Sequence, residues 1–506
     1  MKTHRRSRLE RRGRTRLWAE GCLLLALTIL TDMVPPRVRF GRWNQLLDVL
    51  SCGEELPVLS APMRRPVSRG RPVVTLRAET PQLRCMLIAG GLDTGGIETV
   101  VAALALGLPA HGFDVEVVCE AGGRVERELR DHGVAVSIVP NEHLADHLAH
   151  RSPDVVALHR MDPELFAALR DTDAAVVPTF HAMESYLSCT VWRDLDSLLR
   201  TSPVSVAVSA SVAAYFSSRT RAAPLVVENG VRAADDVSTD RSTARERLAR
   251  GIGVDIDDDD VVVVALQRFS DQKNPAGLVD AFLLASERDR RLRLVVAGAV
   301  NSWLEVRRAD FVRHRHPQGA RVHFLGDSDP SAVLDAGDIF ALASFSEGGP
   351  IAAVEAAAAG LPLVLTDVGF ARELVAAVDS DAVVVPRPNP DFTQRSMARQ
   401  RRRRHQANRE AFAAALLRLA ERSPQRSRSR VPEHFTEHAM IAGHAAALRA
   451  AVGTDSRIRP DASRAGSPFV SPSTDLSYSQ RGSRPGAGKA SSPVASAGTS
   501  TASGGM

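Results

Sequence analysis

Two glutamates, Glu347 and Glu355, stand eight residues apart, the first in the glycine-rich loop Ser346-Glu-Gly-Gly-Pro350 and the second on the helix expected to follow it. Pro350 suits the first helical position, where its missing N–H costs nothing; the alanines through Ala359 favour helix, and Gly360 followed by Pro362 ends it. The apolar runs 338–344 and 361–368 on either side read as buried parallel strands. The unit is therefore strand, loop, helix, strand. Glu347 falls just past the carboxyl end of the first strand, where open α/β sheets bind ligands, and the helix-start amides beside it can receive a phosphate.

A second group lies upstream. Arg268 and Lys273 bracket a loop directly after the apolar run 261–266, in a chain whose only other lysines are Lys2 and Lys489. Lysine offers a phosphate a compact point charge and arginine a planar fork. In the first half, Gly95 and Gly96 lie between a short strand at 85–89 and an amphipathic helix at 97–108, and His181 follows the run 174–180. The glycines fit either a plain turn or a close backbone approach to a ligand, and a strand-end histidine fits structural and catalytic roles alike.

The elements that must position these residues alternate along the chain. Strands are expected at 85–89, 113–119, 136–139, 154–158, 174–180 and 205–209, with helix-like segments between most of them. A second series runs 261–266, 292–298, 322–326, 338–344, 361–368 and 382–386, with helices near 243–250, 276–286, 410–422 and 433–451. Such alternation predicts an α/β protein with two Rossmann-like, doubly wound parallel sheets. The expected divisions are a basic, poorly ordered extension at 1–81, a first domain at 82–235, a second at 236–432, a helix at 433–452, and a disordered Ser-, Gly-, Ala- and Pro-rich tail at 453–506.

Composition narrows the class. At 506 residues, 44% hydrophobic and 24% charged, the chain can build two full cores, and a formal net charge of +5 gives no overall argument for nucleic acid. The run Arg401–Arg404 lacks interleaved aromatics for base stacking and reads as a solvated face. Five widely spaced cysteines without a C-x-x-C pair suggest neither a disulfide framework nor a zinc site. The arginine-rich start and the apolar residues 21–30 resemble a secretory signal only in outline. Glu20 interrupts the approach, no small-residue cleavage site follows, and about ten apolar residues are too few to span a bilayer. An appended, poorly ordered segment is favoured there over a basic amphipathic helix resting on an anionic membrane. The expected location is cytoplasmic, with a peripheral place at the inner membrane face left open.

The block 346–375, SEGGPIAAVEAAAAGLPLVLTDVGFARELV, resembles the EG-x-P…EA-x-A-x-G-x-P-V-V-x-T-D-x-G pattern of the retaining GT-B glycosyltransferases of family 4, the "glycosyl transferases group 1" enzymes. Arg268-Phe-Ser-Asp-Gln-Lys273 resembles their G-R-x-x-x-x-K loop, with Gln267 in place of glycine; Gly95-Gly96-Ile-Glu98 resembles their G-G-x-E turn, and Asn229-Gly-Val-Arg232 their N-G-V-D turn, with Arg232 in place of the acid. The resemblance implies transfer of a sugar from a nucleotide-diphosphate donor to a hydroxyl acceptor with retained configuration, without metal or cofactor. It implies that Glu347 meets the donor sugar, Glu355 the ribose, and Arg268 and Lys273 the diphosphate. Gly95, Gly96, Gly348, Gly349 and the Ile351 amide would lie along the donor, His181 near the reacting centre, and Leu325 and Gly326 beside the base. A nucleotide-sugar epimerase and an inactive homologue remain as alternatives; a phosphorylase would need a lysine for pyridoxal phosphate, and neither Lys273 nor Lys489 has that setting. The acceptor is not named by the sequence. A lipid-linked sugar, a glycan and a small molecule all fit, and nucleic acid is not expected as a partner.

Overall fold

The computed structural model describes residues 2–34, 39, 43, 46, 59–63, 82–232, 240–378, 381–422 and 431–454. The disorder expected over 453–506 lies outside the described residues but for the first two. In chain order the strands are β1 (Leu59–Ser60), β2 (Leu83–Ile88), β3 (Phe113–Cys119), β4 (Ala135–Ile138), β5 (Val155–Leu158), β6 (Ala175–Phe180), β7 (Val206–Ala207) and β8 (Leu225–Val226). They continue with β9 (Val261–Leu266), β10 (Leu292–Ala297), β11 (Val322–Leu325), β12 (Ile339–Leu342), β13 (Leu363–Thr366) and β14 (Ala382–Val385). All pair in parallel, in the orders β4-β3-β2-β5-β6-β7-β8 and β1-β11-β10-β9-β12-β13-β14. Each order reverses direction once, between β2 and β5 and between β9 and β12, so each sheet is doubly wound as the alternation predicts. Strands such as Val-Val-Val-Val-Ala-Leu are apolar throughout because helices cover both faces.

Each sheet is sandwiched between two helical layers. In the second domain, helices Pro275–Ser286 and Arg409–Glu421 pack with Val261, Val263 and Ala265 of β9, while Arg241–Ile252 and Ile351–Ala358 pack with the alternate residues Val262 and Val264. The last helix, Glu437–Thr454, leaves the second domain and packs on the first, where Met440, Ile441 and Leu448 share a core with Val100 and Leu104. The turn after β8 guides that crossing: Val231 N–H donates to the Phe435 carbonyl at 3.0 Å, and Glu437 N–H to the Val231 carbonyl at 2.9 Å. Arg232, where an acid was expected, bonds the Glu437 carboxylate at 3.2 Å and so has a structural partner of its own.

Three expectations change. Pro350 caps its helix in an extended conformation instead of occupying the first turn, which begins at Ile351. Two pieces of the segment expected to be poorly ordered have regular structure: a helix at Lys2–Met33, and β1, which extends the second sheet by pairing with β11. The arginine run is not one solvated face either. Arg401 is 4% exposed and bonds Asp32 of the N-terminal helix and Glu305, while Arg402 bonds Asp32 at 3.0 Å.

Candidate functional site

The carboxyl ends of β9 and β12 supply the charged groups. Asn274, in a left-handed conformation (φ 56°) just before helix Pro275–Ser286, turns the loop after β9. Its amide donates to the Ala343 carbonyl at 2.9 Å, tying that loop to the end of β12. The Gln272 amide fixes the two loops again by donating to the Ser346 carbonyl at 2.8 Å. Between these ties Lys273 Nζ donates to both oxygens of Glu347, at 2.6 and 2.7 Å, and Ser344 Oγ donates to Glu347 Oε1 at 2.6 Å. Glu347 is only 5% exposed, and a carboxylate so buried persists because it is paired and hydrogen-bonded. Arg268, by contrast, is exposed, and no hydrogen bond or salt bridge to its side chain is found among the described residues.

The first domain closes over this loop. A Cβ at Gly348 would collide with the His181 carbonyl oxygen, so only glycine allows the two backbones this approach. The Asn229 amide donates to the Gly349 carbonyl at 2.7 Å, and Ser211 Oγ to the Gly369 carbonyl at 2.8 Å. Gly95 has φ 153°, a conformation side chains resist, and caps helix Gly96–Gly107. A Cβ at Gly96 would lie 3.8 Å from Ile351 Cδ1, so the starts of helices Gly96–Gly107 and Ile351–Ala358 converge across the domains. Both present first-turn N–H groups that have no partner within the helix, and both place positive dipole ends toward the same region. Burial pushes the pKa of Glu98 up, and the Arg268 guanidinium works against that shift from the other domain.

Glu355 stands in the second turn of its helix. Burial pushes its carboxyl up to about 7, with the Asp329 carboxylate adding to the effect. No hydrogen bond to that carboxyl is found among the described residues. The raised pKa sets a sign. Burial favours the neutral carboxyl in the folded state; that contribution is complete below the ordinary carboxylate value of 4.5 and is lost as pH rises through about 7. Glu355→Gln is therefore expected to stabilise the protein by ~1–3 kcal/mol at pH 8 and to leave it nearly unchanged at pH 4. Thermal melts at the two pH values check this.

His181 joins a cluster that sequence reasoning missed. Its Nε2 lies 2.9 Å from Nδ1 of His159, at the end of β5, and the His159 ring stacks obliquely on His444 of the last helix at 5.8 Å. Burial, with His444 second, holds the His181 pKa down to about 3, and burial holds His444 down to about 4. His159 Nε2 is buried without a partner, and an orphaned N–H is rarer than an orphaned acceptor. The favoured tautomer therefore has His159 Nδ1–H donating, which leaves His181 its own Nδ1–H to offer. Neutral His181 is a hydrogen-bond donor and not a base of ordinary strength.

Leu325 does not fit its expected place. Its side chain is fully buried in the core between β11 and helix Arg241–Ile252, its carbonyl accepts from Gly298 N–H, and Ser60 pairs beside it, which leaves no side-chain contact for a base. Gly326 lies next to it with its N–H donated to the Ser60 carbonyl at 3.1 Å. Gly95, Gly96, His181, Arg268, Lys273, Glu347, Gly348 and Gly349 lie in the segments after their strands, and Ile351 and Glu355 on the helix that follows β12.

A family model for "Glycosyltransferase Family 4" matches residues 94–235, and one for "Glycosyl transferases group 1" matches residues 253–424. The D-inositol 3-phosphate glycosyltransferase of Corynebacterium glutamicum is 33% identical over 138 residues, 26% of this chain. That match spans 32% of the relative's own length. Among solved structures, a glycosyltransferase from Rickettsia africae superposes with a TM-score of 0.57 at 16% identity, covering 74% of this chain and 99% of that one. Anabaena HepE in complex with UDP and glucose gives 0.55 at 19% identity, over 73% and 100%. The pneumococcal O-GlcNAc transferase GtfA in complex with UDP and GlcNAc gives 0.52 at 12% identity, over 73% and 99%.

Proposed function

From a chain that belongs to the GT-B glycosyltransferases, with residues 94–235 of family 4 type and residues 253–424 of group 1 type, we infer a hexosyltransferase that moves a sugar from a nucleotide-diphosphate donor to a hydroxyl acceptor with retention of configuration. The observation that carries the reading is the Lys273–Glu347 pair between the ends of β9 and β12, with exposed Arg268 of the same loop acting on Glu98 at a helix start that converges on Ile351. Lys273 neutralises Glu347 and orients both its oxygens, so the carboxylate is a fixed acceptor for sugar hydroxyls. A carboxylate held by three short hydrogen bonds is a poor nucleophile, which disfavours a covalent glycosyl-enzyme step. Arg268 and the two helix dipoles supply positive potential where the leaving diphosphate gathers charge, in the role a divalent cation plays elsewhere. Neutral His181 donates a hydrogen bond to the donor and takes no proton. The acceptor proton is then left to the departing phosphate, which suits attack on the same face of the sugar. Glu355 accepts hydrogen bonds from the ribose, and UDP, present in the HepE and GtfA complexes, is the first nucleotide to try.

Thermal-shift measurements with UDP, GDP and ADP, followed by the sugar forms of the best binder and NMR of the product's anomeric proton, test this reading. Inversion in the product, or interconversion of the nucleotide sugar without an acceptor, would overturn it. Two residue-level outcomes are expected. In Glu355→Gln, which lacks the carboxyl that titrates at about 7, the pH–rate profile should show no limb near the ordinary histidine range, and His181→Asn should keep more activity than His181→Ala, because asparagine preserves a donor. Glu355→Gln should weaken nucleotide binding about tenfold at pH 8, the loss expected for one charge-assisted hydrogen bond.

A further inference from the structure

The second half of the N-terminal helix, from Trp18 to Met33, is built the wrong way round for a helix in water. Its inward side carries polar residues: Thr28 is 1% exposed, Thr31 is 3% exposed, and the Asp32 side chain is buried against Arg401. Its outward side is apolar: Trp18 is 73% exposed, Leu23 60%, Leu25 43%, Leu30 50% and Met33 74%. At 100° per residue these five, with Cys22 and Ala26, fall on one continuous arc, while Gly21, Thr28, Thr31 and Asp32 fall on another. A surface helix of a water-soluble domain turns its apolar stripe to the core. Elsewhere among the described residues the large exposed apolar side chains, such as Ile138 and Tyr186, are scattered. The sequence ahead of the stripe holds seven arginines from Arg5 to Arg16 against one acid, Glu10.

We propose that the outward face of this helix docks on an anionic lipid surface, lying in the interface with Trp18, Leu23, Leu25, Leu30 and Met33 among the acyl chains. Charge selects the partner. A second copy of the chain would bring the same arginines against each other, whereas anionic headgroups complement them, and one apolar stripe plus a basic cluster is the pair of signals stable peripheral binding needs. Trp18 sits between the basic and apolar halves, the level at which indole rings settle in a bilayer. No helix among the described residues is long and apolar enough to cross a membrane, so the helix would lie on the surface and not span it.

The ion network on the inner side gives the attachment a direction. Asp32 bonds Arg401 and Arg402, and Arg39 bonds both Asp32 and Asp271, the latter inside the loop that carries Arg268 and Lys273. The helix is thereby fixed to the donor-side domain, so a lipid-bound helix holds that domain in one orientation over the membrane.

Full-length protein mixed with vesicles of phosphatidylcholine alone, or of phosphatidylcholine with phosphatidylglycerol, tests this by co-sedimentation at low and high salt. Binding is expected only with phosphatidylglycerol and is expected to fall steeply with salt. Leu25→Ser with Leu30→Ser should reduce it about 10²-fold, the effect of two apolar side chains no longer leaving water. Because both point outward, the melting temperature and the thermal shift with nucleotide should stay as in the parent, which separates this inference from the transfer reaction. Acyl-chain bromine should quench tryptophan emission in the parent and much less in Trp18→Phe, which keeps the apolar surface. Equal binding by the double-serine variant, absence of vesicle binding, or a concentration-dependent dimer that the same substitutions dissolve would each overturn the proposal.

Discussion

Lys273→Ala is expected to lower transfer about 10²–10³-fold, with the larger part in kcat, while the protein melts within a few degrees of the parent. The side chain, 17% exposed, lies at a strand end outside the apolar cores, so its removal takes nothing from them. What it removes is the cation that fixes Glu347. With only the Ser344 hydroxyl left, at 2.6 Å, the carboxylate keeps one partner for a charge that is 5% exposed, and it either rotates toward water or takes up a proton. Either outcome misplaces the acceptor for the sugar hydroxyls just as a cation is lost from the diphosphate. Lys273→Arg should recover only part of the activity, because a planar guanidinium cannot place one point charge on both oxygens in the space an ammonium fills. Initial rates and product-release controls on the three proteins decide this. Activity within a few-fold of the parent in Lys273→Ala would remove the diphosphate from this loop.

The sheets were legible because their signals are local. Val261–Leu266 is apolar at every position, Phe113–Cys119 lies between turn residues, and both strands form at the expected bounds. The loop glutamate Glu347 was legible for the same reason, since strand, glycine loop, proline and alanines follow one another within twenty residues. Leu325 failed because the end of a strand does not reveal which neighbouring residue faces the core and which faces the crevice. His159 and His444 failed for another reason: nothing in their own surroundings distinguishes them, and only β5 and the crossing of the last helix bring them to His181. The N-terminal helix escaped because its stripe of apolar residues and its threonines suggest no core to pack on. Its inner face is chosen by Asp32 and by Phe311, whose ring leaves no room for a side chain at Gly21.

Arg401→Ala should destabilise the protein by about 3–5 kcal/mol, the cost of breaking a buried ion pair while leaving its partners in place. A run of four arginines gives no hint which of them is enclosed. The structure selects Arg401, whose side chain is 2% exposed between Asp32 and Glu305, each 1% exposed. Glu305 is also held by Arg308 at 2.6 Å, and the balance of forces on it is explicit. Burial pushes its pKa up, Arg308 and Arg401 pull it down by more, and it ends at about 2. A depressed folded pKa contributes stability that is present above 4.5 and lost as pH falls through about 2. The parent should therefore lose stability on acidification across that window, and Arg401→Ala, whose Glu305 has lost one of its two cations, should lose less there while starting lower at pH 7. Arg401→Met together with Asp32→Leu and Glu305→Leu should recover much of the loss, because replacing a whole buried ionic group by apolar residues is close to neutral where removing one member is not. The triple variant also releases the N-terminal helix from its charged anchor without leaving a bare charge. If it melts near the parent while Arg401→Ala does not, the network fixes where the helix sits more than it adds to stability, and denaturant titrations at pH 7 and at about pH 2 on the three proteins measure both terms.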